Sequence, residues 1–460
     1  MGCSNIDKNG AISEAEAESD NITPSSNIET EDNNLIIQDN IVVFPEPNGL
    51  TEVQIDTLGN ELPDSKDDGD LPVMLTFNAG GATINTYGEI KVQGSSSAKW
   101  PKKNWTLKFY ADEERTEKLR LKIGDSVASN KWIAKAEWVD PTMLRNALSF
   151  RLWEEMVESR NSFPQYEVDN AWIGKDNINE GTQTGAQGFP KTHPIHVKVN
   201  DEHYGLSMLL LGHDPRNFNI DTNNPKHVYM EFDARGGENK TKTWEKFSAE
   251  GIGAWIDGYY PVNEDFTEEQ REAIDKLGNL INGSQNDFEE NFDKYLDKTN
   301  MIDMLLFLEA IYDYDAVAQD AEIITYDLEK WYFLPWDKDT TFGMDWDGDG
   351  LREGSSTELL INYETENETQ KPWFKTYHAF TPEVEERYAQ LRNEGIFSGN
   401  GLYKLTGGIT KQIPKEMWEA EEIRWENDER PSLDKTSTSQ IISWFEERLE
   451  VLDEQFNYVP

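Results

Sequence analysis

Two clusters of aspartates stand at the ends of one short hairpin pattern, and no other stretch of the chain restricts its fold so tightly. Residues 313–343 read DYDAVAQDAEIITYDLEKWYFLPWDKDTTFG. Runs 322–326 and 331–335 are β-prone, and 327–330 has the composition of a turn. If that turn closes symmetrically, Asp320 pairs opposite Asp337, with Asp313, Asp315 and Asp339 close by. Antiparallel neighbours lie roughly 5 Å apart, so several carboxylates converge on one small volume. Like charges at that range require a shared proton or a cation. A metal site is the expected answer.

Charge narrows the partners. The chain carries 88 Asp+Glu against 43 Lys+Arg, a net charge of -45. A polyanion is repelled by such a surface, which excludes nucleic acid and argues against docking on an anionic membrane. No apolar run approaches the roughly 18 residues that span a bilayer. The only cysteine, Cys3, rules out an internal disulfide framework. It reads either as an inert terminal thiol or as the lipid-bearing cysteine of an exported lipoprotein. The polar, acidic stretch 5–34 has the composition of a tether, so an exported protein, attached to the membrane only through an N-terminal lipid anchor, is the expectation.

Residues 1–40 read as that tether and 41–460 as the folded part, strand-rich over about 41–215 and mainly helical over about 216–460. VQID, LPVMLTF, EIKVQG, NWTLKFY and residues 131–138 carry strand signals, and 194–211 reads as a hairpin turning at 200–202. Asp140-Pro141 has the chemistry of a helix start, with Leu144, Leu148 and Leu152 on one stripe. Helical periodicity follows over 267–282, 287–296, 301–312 and 438–456. Strands first and helices later make the class α+β.

Two further segments carry chemistry. Gly94, Ser95, Ser96 and Ser97 are followed by Lys99, Lys102 and Lys103. This reads either as a phosphate cradle of exposed amides, hydroxyls and ammonium groups or as a solvated hairpin tip. Asp345, Asp347, Asp349 and Gly350 imitate the first half of a calcium loop, although its twelfth position is Ser356. A structural Ca²⁺ or a solvated acidic loop are the two readings. The six histidines show neither zinc-protease spacing nor a nucleophile elbow.

The series GSSSAKWPKKNWTLKF, WIAKAEWVDPTMLRNALSF, YYPVNEDFTEEQREAI, the Asp315 to Asp320 loop and PWDKDTTFG, in that order, resembles the spore-coat protein H (CotH) kinase family. The resemblance spans roughly residues 41–455 and is most specific at PWDKDTTFG and the Pro-Lys-Lys cluster. It implies an atypical protein kinase-like fold and ATP with a divalent cation (Mg²⁺, Mn²⁺ or Ca²⁺). It further implies phosphorylation of Ser or Thr of a protein substrate; a monomer is the expectation for the chain itself. Asp315 is implied as the catalytic acid/base, with Asp320, Asp337 and Asp339 around the metal and Trp336 packed at the site. Phosphate contacts fall to Lys102 and Lys103, with Lys135 as competitor. The chain departs from the family pattern in having Asp320 for an asparagine, Leu211 for a glutamate and Gln93 for an arginine. These departures keep open a second reading, a non-catalytic calcium-binding surface adhesion or assembly module on the same fold.

Overall fold

The computed structural model describes residues 29–30, 36–38, 40–94, 96–160, 188–234, 243–428, 430 and 437–460. Cys3, most of the expected tether and Ser95 lie outside them.

The first half is built on β1 (Glu29–Thr30), β2 (Ile36–Gln38), β3 (Ile41–Phe44), β4 (Thr51–Asp56), β5 (Leu71–Ala79), β6 (Ala82–Gln93), β7 (Asn104–Tyr110), β8 (Arg120–Ile123), β9 (Lys131–Lys135), β10 (Thr192–Val199) and β11 (Glu202–Leu211). In β6 every second residue is buried, so its alternating sequence packs one face inward. Strands run β6-β5-β4-β10-β11-β9-β7, and β7 pairs back onto β6, closing a seven-stranded barrel. Its interior is filled by Val53, Leu75, Phe77, Ile90, Leu107 and Phe109, among others. The β10–β11 hairpin turns at Asn200 and Asp201, both with positive φ, as a two-residue connection of this hand requires.

His193 on β10 is 2 % exposed, and its Nε2 has no hydrogen-bond partner. Burial pushes the imidazole down to about 4; Lys191 and Arg151 add to this, Asp125 opposes it, and Glu46 stands 3.9 Å from Nδ1. The unfolded chain, titrating near 6.5, therefore binds the extra proton first. Stability present above that pH is lost as pH falls toward 4, by about 3 kcal/mol in full. His193→Asn is expected to flatten this limb of the melting-temperature profile. An unchanged limb would show that another group causes it.

The second half holds β12 (Val228–Phe232), β13 (Ile256–Tyr260), β14 (Ala321–Thr325) and β15 (Trp331–Leu334) in a sheet ordered β13-β12-β14-β15. The same half carries α2 (Glu268–Asn282), α3 (Gln285–Tyr295), α4 (Lys298–Ile311), α5 (Lys371–Asn393), α6 (Gly399–Thr410), α7 (Lys415–Arg424), which packs on β11, and α8 (Thr438–Gln455), after an earlier α1 (Arg145–Ser159). α4 is buried from Thr299 to Ile311, not on one face only. It is apolar over most of its circumference, and its buried Asp303 and Glu309 are paired with Arg160, Arg387 and Arg448.

Three local expectations shift. The strand expected over 131–138 ends at Lys135, because Glu137 turns to positive φ. The helix expected at 141 begins at Arg145. Asp140 caps it from a distance, accepting from the amides of Leu144 and Arg145 while binding the Arg145 guanidinium at 2.7 Å. In the late hairpin Glu322 faces Leu334 and Thr325 faces Trp331. That register aligns Asp320 with Trp336, one residue short of Asp337. The turn holds an odd number of residues: Thr325 Oγ1 accepts from the Leu328 amide, Asp327 Oδ1 accepts from those of Glu329 and Lys330, and Leu328 has positive φ.

Candidate active site

A cavity of about 440 Å³ opens between the barrel and the helical half, within the range of small-molecule sites, roughly 300–1,000 Å³. The barrel contributes the end of β6 and the turn at Gly94 and Ser96. Gly94 has φ +97, and a Cβ there would collide with the Ser97 hydroxyl, so the turn requires glycine. The other wall carries Asp315, Asp320, Trp336, Asp337 and Asp339.

The loop after β15 is pinned before any ligand arrives. The Lys338 amide donates to Asn146 Oδ1 at 3.0 Å, and the Lys338 ammonium lies 2.6 Å from the buried Asp313 carboxylate. The aspartates on either side of Lys338 meet Lys135 at the end of β9. Its ammonium contacts Asp337 and lies 3.2 Å from Asp339. Burial opposes the charge on Lys135, but Asp337 and Asp339 more than offset it and hold its pKa above the ordinary 10.5. Burial pushes Asp339 up to about 6 and Glu137, also on the cavity wall, to about 8, in both cases against the pull of Lys135. Carboxylates this dense need a cation, and here a lysine serves as one.

A second acidic group forms where β12 meets β14. Glu231, Asp233 and Asp320 each present a carboxylate oxygen, all within 4.8 Å of one another, the single group of this kind among the described residues. Burial pushes Glu231 well above the usual carboxylate range, and the Asp320 charge adds to it. Oxygens this close suit a hard divalent cation, whose ligands sit about 2.3–2.6 Å from it. Behind the group, His213 stacks on Tyr259 with centroids 3.8 Å apart, and its Nδ1 lies 2.7 Å from Glu322. Glu231 and Asp233 were not expected from sequence. The available signal was one acid inside the apolar run VYMEF and another directly after it.

The family described as CotH kinase protein matches residues 90–452, from within β6 to the last turns of α8. The chain belongs to the CotH kinase family. No curated protein matches it. The matched span contains Lys135 and all the carboxylates of both acidic groups. No helix among the described residues is long and apolar enough to cross a membrane.

The remaining expected residues separate by location. Lys102 is buried away from the cavity, 2.6 Å from Glu421 of α7 and donating to the carbonyls of Ala136 and Leu206. Lys103 lies 3.0 Å from Asp64 and donates to the Ala98 carbonyl. Neither lines the cavity; Lys135 is the lysine that meets its carboxylates. Leu211 is buried in the barrel core, and Gln93 lines the cavity. Asp345, Asp347 and Asp349 do not gather their oxygens as the other trio does. Asp345 is held by Tyr314 and Arg352, in a loop closed by a Met344–Leu351 bridge. The neighbouring Trp346 is 49 % exposed and reaches the cavity mouth. There the Lys99 ammonium sits 4.3 Å from the Trp100 ring and 4.6 Å from the Trp346 ring, a cation–π bridge between the two halves.

Proposed function

We propose that this CotH kinase transfers the γ-phosphoryl group of ATP to Ser or Thr of an extracytoplasmic protein. The observation that carries the reading is that Asp315, Asp320, Asp337 and Asp339 line one cavity, with the buried Lys135 ammonium against Asp337 and Asp339. Phosphoryl transfer calls for a phosphate-pairing cation, carboxylates for a metal and an acid that takes the acceptor proton. Asp337 and Asp339 would hold one divalent ion and Asp320 another, their charge offsetting that of the phosphates. Glu231 and Asp233 complete the donor set around Asp320. Lys135 and the amides at Gly94 and Ser96 pair with phosphate oxygens. The acceptor hydroxyl oxygen bonds to phosphorus, the bond to the leaving ADP oxygen breaks, and the proton passes to Asp315. The lone Cys3 and the acidic stretch behind it support an exported, lipid-anchored form.

Incubation with γ-labelled ATP, Mg²⁺ or Mn²⁺ and a basic Ser-rich peptide is expected to label the peptide. ATP with metal is expected to raise the melting temperature, as any ligand of the native state does. Absence of both effects with every divalent cation would favour the calcium-binding module instead.

A further inference from the structure

A second cavity, of about 420 Å³, has the opposite charge to the first. Its wall holds Lys118, Lys131 and Arg216 against one carboxylate, Asp214. That carboxylate is already engaged, since Arg216 binds it through Nε at 2.8 Å and through a second guanidinium nitrogen at 2.6 Å. Two lysines remain, and among the described residues neither makes an ion pair. In a chain of net charge -45 carboxylates are plentiful, so two such ammonium groups facing one cavity call for a reason.

Backbone pairing fixes both lysines at the wall. Lys118 is bridged to Tyr110 at the end of β7, and Lys131 opens β9 directly opposite Lys108. Like charges facing each other across two strands are unfavourable. Lys108 is compensated by Asp70 at 3.0 Å and Glu89 at 3.3 Å, whereas Lys131 has no such partner. The Lys131 stem lies over Gly212, where a Cβ would stand 3.7 Å from its Cε. Packing holds the Lys131 ammonium below its ordinary 10.5; Lys108 adds to this, and Asp214 and Asp70 oppose it. An incoming anion relieves both effects. His213 lines this cavity and the reaction cavity alike. Its nitrogens are occupied, Nδ1 by Glu322 at 2.7 Å and Nε2 by Tyr259 at 3.0 Å, which leaves recognition to the lysines.

We infer that this second cavity is an anion site for a phosphate group, whose charge of about -2 matches the two ammonium groups. Its volume exceeds the roughly 300 Å³ at which small-molecule sites begin, and the acidic surface around it turns long polyanions away. The site stands whether or not the transfer reaction does.

The test is calorimetric titration of the full chain with inorganic phosphate in EDTA. Without metal the reaction cavity, walled by Asp315, Asp320, Asp337 and Asp339, repels the same anion. One phosphate is expected to bind. Lys118→Gln and Lys131→Gln are each expected to weaken it about tenfold, the loss of one charge-assisted hydrogen bond. Lys276→Gln combined with Lys415→Gln removes two charges from exposed positions on α2 and α7 and is expected to change nothing. A phosphoserine peptide that binds more tightly than phosphate assigns the site to phosphorylated protein; equal or weaker binding assigns it to the free ion. No phosphate bound by the wild type, or equal weakening by the control pair, overturns the inference.

Discussion

Asp315→Asn is expected to lower phosphoryl transfer by about 10²–10⁴-fold, the usual contribution of a positioned general base, while leaving Mn²⁺ affinity intact. Asp315 lines the cavity, and Thr340 Oγ1 donates to it at a long 3.4 Å. Asp337→Asn is expected to abolish both transfer and high-affinity metal binding. Lys135 then retains Asp339 at 3.2 Å as its counter-charge, so the fold survives. The pair of variants separates the two roles by one comparison: label transfer lost in both, metal retained in one. If Asp315→Asn keeps more than a tenth of wild-type transfer, the proton acceptor lies elsewhere.

Glu421→Gln is expected to cost about 3–5 kcal/mol in urea unfolding, the range for stripping one partner from a buried ion pair. Lys102 and Glu421 are both buried, and burial already pushes Lys102 down to about 8 despite the carboxylate beside it. Glu421 also binds Arg430 at 2.7 Å and accepts from the Leu206 amide. Lys102→Met therefore leaves Glu421 with a cation, whereas Glu421→Gln takes from Lys102 the carboxylate beside it. The smaller loss is expected for Lys102→Met, with the Michaelis constant for ATP unchanged. A raised Michaelis constant at unchanged stability would return Lys102 to the phosphates.

That contrast marks where sequence reading stops. The acidic hairpin, the strands around 51–110, the 192–211 hairpin and the last helix are written in short-range signals: alternation, turn chemistry and caps. α2 carries one such signal in full, a reciprocal Thr267–Gln270 capping box. The choice between Lys102 and Lys135 has no local signature. Lys102 is claimed by a glutamate 319 positions away, and Lys135 by an aspartate 202 positions away. Glu231 joins the site because β12 pairs with β14, setting it opposite Glu322 and bringing Asp320 alongside. Periodicity cannot specify which strands become neighbours. The one-residue change of hairpin register came from side chains capping their own turn, a detail that symmetric closure does not anticipate.

The ring formed by the first-half strands alters how the molecule can breathe. A glycine-serine turn carried on an open sheet could lift by peeling one border strand away. Here β6 and β7, which flank that turn, are zipped to each other and onward around the circle. The strands on both sides of the turn are therefore fixed by the closed ring. α7 also packs against β11, where Glu421 accepts from the Leu206 amide, so the ring is braced from outside while Trp346 stands beside the cavity.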